Sequence, residues 1–272
     1  MPTVHARSFL LAPALGLAMV GVYAAGQTPQ VRPQQRPRPP YTAELKITHV
    51  QTLANGTTIT NESTELEALD AQGRRLRSTT YQAPGPGEAA RTTANVSDPV
   101  EGTQSSWEST TKKARVVRLP PEDQRKGCWT SDEGNMRMSW YEGPKPGAPA
   151  PNRTVVAGGG TIVPAQRQVP AAEKLGTTTI QGVEARGVRF TTTIAAGEMG
   201  NDQPIVSTNE VWSAPQFGLT VREVTDDPRT GKTTRELVSL TKGEPDPSLF
   251  EPPEGYEVVT EQLHQVSCPA AR

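Results

Sequence analysis

The chain has 272 residues with a formal net charge of -1, and only 34% of them are hydrophobic and 5% aromatic. Glycine contributes 24 residues and proline 26, well above their average usage, and threonine is the preferred polar residue. This composition excludes a polytopic membrane protein and argues against a helical bundle or a large doubly wound α/β enzyme. The near-neutral charge also removes nucleic acid and anionic membrane surfaces as electrostatic partners.

The first 26 residues predict a secretory signal peptide. Arg7 precedes an apolar run, Phe9–Tyr23, and small residues follow that run. A membrane anchor is the alternative, but this run of about 15 residues contains Pro13 and is shorter than the roughly 20 that a spanning helix needs. Gln27, not cysteine, follows the small residues, so no thiol is placed for a lipid anchor. We expect a secreted or periplasmic protein without a transmembrane segment after cleavage.

Cys128 and Cys268 are the only cysteines. In an exported chain, two thiols most simply form one disulfide, with two unpaired thiols as the alternative. The chain has no Cys-x-x-Cys motif, and its few Cys and His residues are too far apart for a zinc site. We therefore predict a structural disulfide, no metal site and no cofactor.

Two Pro-rich stretches divide the rest of the chain. Residues 27–40 predict a disordered Pro/Gln-rich tether, and residues 143–172 predict a disordered Pro/Gly/Ala-rich loop. Between and after them, residues 41–142 and 173–268 are predicted to form the first and second halves of one β-sheet domain. Residues 269–272 are a short tail.

The first half reads as a series of hairpins. From Tyr41 to Leu53 apolar and polar residues alternate with period 2, which is typical of a strand with one wet face. Asn55-Gly56 predicts a type I′ turn, and the apolar phase changes within the return strand 57–69, which predicts a bulge there. Further strands are predicted at 74–81, 91–97, 103–110 and 114–119.

The second half has stronger apolar strands. They are predicted at 177–180, 183–194, 205–213, 219–225 and 232–240. Apolar positions at helical spacing occur only over short windows, so single helical turns are predicted around 120–126 and 246–250. The predicted class is all-β, an antiparallel meander of about twelve strands that forms a curved open sheet or an unclosed barrel.

Three segments in the last ninety or so residues carry a resemblance to a known family. They are Leu175–Ala185 (LGTTTIQGVEA), Glu210–Leu219 (EVWSAPQFGL) and Pro247–Tyr256 (PSLFEPPEGY). In this order and spacing they resemble secreted bacterial proteins related to the outer-membrane lipoprotein-sorting (LolA-like) family. The resemblance implies an unclosed antiparallel half-barrel whose concave side holds acyl chains. The family's carrier covers that cavity with helices, whereas this chain has no amphipathic helix.

Catalysis finds little support in the residue inventory. After the predicted signal peptide the sequence contains only two histidines, His49 and His264, and it has no Gly-x-Ser-x-Gly nucleophile elbow. A carboxylate pair for glycoside hydrolysis leaves no sequence signature and stays open. We predict no catalytic residues and a protein that is not an enzyme.

The aromatic residues are the candidates for binding. Trp107, Trp212 and Phe190, together with His49 on the apolar phase of its strand, are predicted to line a ligand site, although tryptophans also serve as core anchors. The favoured function is an exported envelope protein that binds a lipid or lipoprotein, an apolar or amphipathic ligand, on an apolar concave face. The alternative is a structural or protein-interaction module with another envelope protein as its partner.

Overall fold

The computed structural model describes residues 38–268 except 84, 86, 135 and 141–170. These residues form fourteen strands and two single 3-10 turns, Glu122–Gln124 and Pro247–Phe250, which confirm the two predicted helical turns. The strands are β1 (Tyr41–Thr52), β2 (Thr58–Leu69), β3 (Arg75–Tyr81), β4 (Arg91–Asp98), β5 (Thr103–Glu108), β6 (Lys113–Arg118), β7 (Gly127–Ser131), β8 (Arg137–Trp140), β9 (Ala171–Ile180), β10 (Val183–Ile194), β11 (Ile205–Ala214), β12 (Leu219–Asp227), β13 (Gly231–Lys242) and β14 (Glu257–Val266).

All fourteen strands belong to one sheet in the order β8-β7-β14-β6-β5-β4-β3-β2-β1-β13-β12-β11-β10-β9. Hairpins extend the sheet in one direction from β1 to β6 and in the other from β13 back to β9. The two arms are joined by the long antiparallel pairing of β1 with β13. The sheet does not close, and β8 and β9 are its edge strands. The predicted all-β open sheet is confirmed.

The C-terminal strand departs from the predicted antiparallel meander. β14 pairs in parallel with β6, from Glu257 opposite Lys113 to Gln262 opposite Arg118, and then antiparallel with β7. A parallel neighbour needs a long connection, and the seven described strands β7–β13 lie between β6 and β14 in the chain. The predicted disulfide is confirmed: Cys128 at the start of β7 is bonded to Cys268, with the two Cα atoms 5.1 Å apart.

The first hairpin turn differs from its prediction. Strand pairing stops at Thr52 and Thr58, and a five-residue connection replaces the two-residue turn. Gly56 has φ +83°, but Asn55 does not have positive φ, whereas a type I′ turn requires positive φ at both residues. Asn55 instead accepts a hydrogen bond from the backbone of Thr57 through Oδ1 at 3.0 Å. The type I′ prediction is wrong.

The bulge predicted in β2 is also wrong, because β1 and β2 stay in register along their whole length. The apolar phase of β2 changes because Ile59 near its start is exposed, whereas its end is buried on both faces, with Leu69 on one face and Ala68 beside the partly buried Leu66 on the other. The register shifts occur in other pairings of the sheet, at β1 with β13, β10 with β9 and β11 with β12.

Two apolar clusters lie on opposite faces of the β1–β2 region. The first cluster joins Tyr41, Ala43, Leu45, Leu69, Val183, Ala185, Ala214, Phe217, Leu219, Val221 and Leu237. The second cluster joins Ala68, Leu76, Ala94, Val96, Trp107, Ala114 and Phe250. Phe250 comes from the 3-10 turn before β14, so the β13–β14 connection covers the face that carries the second cluster.

The face of β2–β5 that lies opposite the second cluster is the concave face of a curved sheet. Tyr41 on β1 and Met136 between β7 and β8 line the same cavity. Seven strand spacings separate β1 from β7 in the sheet order, roughly 34 Å in a flat sheet. Two residues so far apart share a cavity only if the sheet bends toward this face. We call it the inner face.

Gly187 on β10 marks a close contact that a larger residue would disturb. A Cβ atom built on Gly187 would lie 2.7 to 2.8 Å from three ring carbons of Trp212. Gly187→Ala is expected to lower the free energy of unfolding by about 1 to 3 kcal/mol, as overpacking typically does. Urea unfolding followed by tryptophan fluorescence measures the change.

Gly85→Ala is the matched control, because its Cβ would approach nothing closer than Glu88 Oε1 at 3.4 Å. Equal stability of Gly187→Ala and the control would contradict the contact.

Candidate functional site

The pairing of β2–β5 arranges the polar side chains of the inner face in rows across the strands. One row runs Leu69–Arg75–Ser97–Gln104, and the next runs Glu67–Arg77–Asn95–Ser106. All residues of both rows except Leu69 line the first cavity, which has a volume of about 350 Å³. Tyr41 and Met136 border it, so the cavity combines a polar wall with an apolar side. Its lining is more polar than the apolar concave face that the sequence predicted.

Most polar side chains of this cavity have no partner within the described part of the chain. Hydrogen bonds and ion pairs are absent there from the side chains of Tyr41, Arg75, Asn95, Ser97, Gln104 and Ser106. Together they offer a phenol, a guanidinium, two amides and two hydroxyls. Groups left free in this way around a cavity are available to a ligand.

Arg77 and Glu67, by contrast, belong to an ionic network in which Glu65, Glu67 and Arg235 are largely buried and Arg77 is exposed. Arg235 on β13 donates from Nε to Glu65 Oε1 at 3.0 Å and from Nη2 to Glu67 Oε1 at 2.7 Å. Arg77 Nη2 donates to the same Glu67 oxygen at 2.7 Å, and Arg235 Nη1 donates to the carbonyl of Thr220 at 2.9 Å. The network therefore links β13 and β12 to β2 and β3 across the intervening β1.

Burial raises the pKa values of two groups that line the first cavity, Glu67 and Tyr41. It raises the pKa of Glu67, although the charges of Arg235 and Arg77 act in the opposite direction. Burial also raises the pKa of Tyr41, and the charge of Glu67 adds to the rise. Tyr41 therefore remains a neutral hydroxyl at physiological pH and can donate a hydrogen bond.

A second cavity of about 430 Å³ adjoins the first and shares Asn95 and Ser106 with it. Glu261 on β14 lines this cavity and is only 2% exposed. Arg115 Nε lies 2.7 Å from Glu261 Oε1, but the contact lacks hydrogen-bond geometry, so it is an ion pair alone. The two cavities form one polar stretch along the inner faces of β3–β6.

His49 lies on β1 at the centre of the sheet, and Phe190 lies on β10 in the arm that runs from β13 to β9. His49 Nδ1 is 2.9 Å from Thr233 Oγ1, which ties β1 to β13. Phe190 on β10 is 37% exposed and lies opposite Asn209. Neither residue lines the first or the second cavity.

The two tryptophans have different surroundings. Trp107 is 8% exposed in the second cluster and borders the second cavity. Trp212 packs against the first cluster and over Gly187, and its Nε1 donates to Glu210 Oε1 at 2.7 Å. The structure does not bring the four predicted residues together, and their ligand-binding role stays a prediction.

The residues that line the first cavity were not identified by sequence reasoning. Arg75 and Asn95 alternate with apolar residues along their strands, as solvated positions normally do, and Gln104 lies between two hydroxyl residues, Thr103 and Ser105. The only sequence signal is the period-2 position along each strand, which assigns them to one face without indicating that this face curves around a cavity.

Within the described ranges, no cluster of three or more His, Cys, Asp or Glu side chains is arranged to hold a metal ion. The same residues contain no helix long and apolar enough to cross a membrane.

Comparison with known proteins gives structural likeness alone. No protein-family model matches the sequence, and no curated protein matches it. The MucA/MucB complex of Pseudomonas aeruginosa contains a chain that is similar over 82% of this chain, with 10% identity and a TM-score of 0.39. The match covers 59% of that chain's length.

Two further solved structures are similar. A putative outer-membrane lipoprotein-sorting protein domain from Vibrio parahaemolyticus has 9% identity and a TM-score of 0.29, with 78% of this chain and 89% of that one covered. A β-barrel-like protein from Brucella abortus, with a domain of unknown function, has 10% identity and a TM-score of 0.32, with 76% and 99% covered. A lipoprotein-sorting protein domain is thus among the solved structures to which this chain is similar.

Proposed function

We propose that this protein is a non-catalytic binding protein of the bacterial cell envelope, exported to the periplasm or beyond, and that its first cavity holds an amphipathic ligand. The observation that carries the proposal is an inner-face cavity, open to solvent, that is lined by polar side chains with no partner in the described chain. A ligand pocket typically has a few hundred Å³ and a small number of placed polar groups. The first cavity has both.

The two sides of the cavity suit the two parts of an amphipathic molecule. The Arg75 and Asn95 rows supply hydrogen bonds to a polar head. The Tyr41 ring and Met136 border the same space and offer apolar contact, and Tyr41 also belongs to the first cluster. A wholly apolar molecule would leave the polar wall without partners, at a cost for each desolvated group.

Titration of the purified, oxidised protein with 12-anthroyloxystearic acid tests this function. We expect saturable fluorescence uptake with one site per chain. Ser97→Phe is expected to weaken that binding by at least about tenfold, because Ser97 lines the first cavity and the larger ring would occupy it.

Ser78→Phe is the matched control. Ser78 lies on β3, faces away from the first cavity and lines a third, smaller cavity of about 280 Å³. Its substitution is expected to leave the affinity unchanged. Absence of saturable uptake by the unmodified protein, or equal loss in both variants, would contradict the proposal.

A protein-interaction role is the second candidate, and the edge strand β9 favours it. Within the described part of the chain β9 pairs only with β10, and its segment Thr177–Ile180 carries neither charge nor proline. Such an edge can accept an extended segment of a partner as an added strand. A failed fatty-acid titration would favour this role over ligand binding.

A further inference from the structure

One of the arginines that line the first cavity, Arg75, has no ion-pair partner among the described residues. The charged lining residues of the cavity are Arg75, Arg77 and Glu67. Glu67 accepts hydrogen bonds from both Arg77 and Arg235, and Glu65 forms ion pairs with the same two arginines, so two guanidinium groups and two carboxylates balance. Arg75 has no ion pair or hydrogen bond with any described residue.

The neighbours of Arg75 in the chain and in the sheet do not neutralise it. Arg74, the preceding residue, is itself paired with Asp70 at 2.6 Å between Nε and Oδ2. The residues opposite Arg75 on β2 and β4 are Leu69 and Ser97, neither of which is charged. The cavity therefore has an excess positive charge at Arg75.

Hydrogen-bond donors surround this charge. Ser97 lies directly opposite Arg75, and Gln104 lies opposite Ser97 on the next strand, so hydroxyl and amide continue the row. Tyr41 borders the same cavity with a free hydroxyl. A guanidinium flanked by neutral N–H and O–H donors is the arrangement that binds carboxylate and phosphate oxygens, since each oxygen accepts several hydrogen bonds.

We infer that the polar head of the ligand is an anion, a carboxylate or a phosphate, and that Arg75 is the residue that selects it. This inference rests on the proposed function, because it specifies the head of the ligand in that same cavity. An uncharged head would leave the Arg75 charge unpaired, and an ammonium head would meet a like charge.

Calorimetric titration with four amphiphiles of one chain length tests the inference, each below its critical micelle concentration. The probes are dodecanoate, dodecyl phosphate, dodecyl maltoside and dodecyltrimethylammonium. We expect both anions to bind at least about tenfold more tightly than the other two, since a charge-assisted hydrogen bond contributes at least that factor. Whether dodecanoate or dodecyl phosphate binds more tightly identifies which anion is preferred.

Arg75→Gln is expected to remove the preference for anions, to within about twofold, while all four dodecyl chains continue to bind. Arg75→Lys keeps the charge and is expected to retain part of the preference. Arg118→Gln is the control, because Arg118 is also exposed and outside both cavities. Arg75 is exposed on its strand, so folding of the variants is verified by their unchanged urea transitions.

The two proposals fail in different ways. Equal binding of all four amphiphiles to the unmodified protein, or an anion preference that survives in Arg75→Gln, overturns the choice of an anionic head and leaves ligand binding in place. Binding of none of them overturns the proposed function itself.

Discussion

Arg235→Met is expected to lower the free energy of unfolding at pH 7 by about 3 to 5 kcal/mol, the usual cost of removing one partner from a buried ion pair. The side chain of Arg235 is 13% exposed, and its partners Glu65 and Glu67 are 7% and 13% exposed. Without the guanidinium, two carboxylates face each other in a site that water hardly reaches. Urea unfolding of the variant and the unmodified protein measures the difference.

The pH dependence of this loss separates charge from packing. Burial already raises the pKa of Glu67, and Arg235 is the first of the groups that oppose the rise, so its removal raises that pKa further. A group whose pKa is higher in the folded state favours folding at low pH, and this contribution is lost as pH rises through the folded pKa. The cost of Arg235→Met is therefore expected to shrink as pH falls toward 4.5 and to be largest at neutral pH.

Lys46→Met provides the exposed counterpart. Lys46 Nζ on β1 lies 2.7 Å from Glu62 Oε1 on the adjacent strand β2, and the two side chains are 49% and 34% exposed. Exposed pairs contribute about 0 to 1 kcal/mol, so this substitution should be nearly neutral at every pH. A loss for Arg235→Met that is equally small, or independent of pH, would show that the buried network does not stabilise the fold.

Removing the disulfide is expected to have an effect of similar size. Cys128 and Cys268 are 140 residues apart, and chain-entropy arithmetic for such a loop gives up to about 5 kcal/mol. The double variant Cys128→Ala with Cys268→Ala should lose stability toward that limit in urea unfolding. The amides of β14 should also exchange hydrogen faster, because Val266 pairs with Cys128 at the end of that strand.

The unmodified protein treated with a reducing agent is the control for the cysteine variant. Reduction and substitution remove the same cross-link, so both should shift the urea midpoint by a similar amount. Stabilities within about 0.5 kcal/mol of the oxidised protein would mean that the sheet alone already restrains the chain end.

The sequence predicted strand bounds most accurately where one face of a strand is solvent-exposed and the other is buried. The alternation from Tyr41 and the apolar run around Val183 placed β1 and β10 within a residue or so of their bounds. Three strands were not predicted from the sequence: the short β7 and β8, and β14. Few buried side chains mark them, and β14 owes its position to partners more than a hundred residues away.

The candidate site was beyond prediction for a related reason. Arg75, Asn95 and Gln104 have the pattern of ordinary solvated positions, and what distinguishes them is that the sheet bends over them. Curvature is a property of the whole sheet and cannot be predicted from the residue pattern of a single strand. The tryptophans, by contrast, were conspicuous in the sequence because they are large and rare, and two of them, Trp107 and Trp212, pack against the clusters.

The central position of β1 has a consequence for how the chain folds. β1 is among the earliest strands in the chain, yet one of its neighbours, β13, begins at Gly231. Until that strand arrives, one edge of β1 carries Ala43 and Leu45 without a pairing partner, and unpaired apolar edges are where nascent β-proteins aggregate. Such distant pairing also slows folding, toward milliseconds to seconds for β-rich topologies. A newly made chain is thus expected to be most prone to aggregation in the interval before β13 docks.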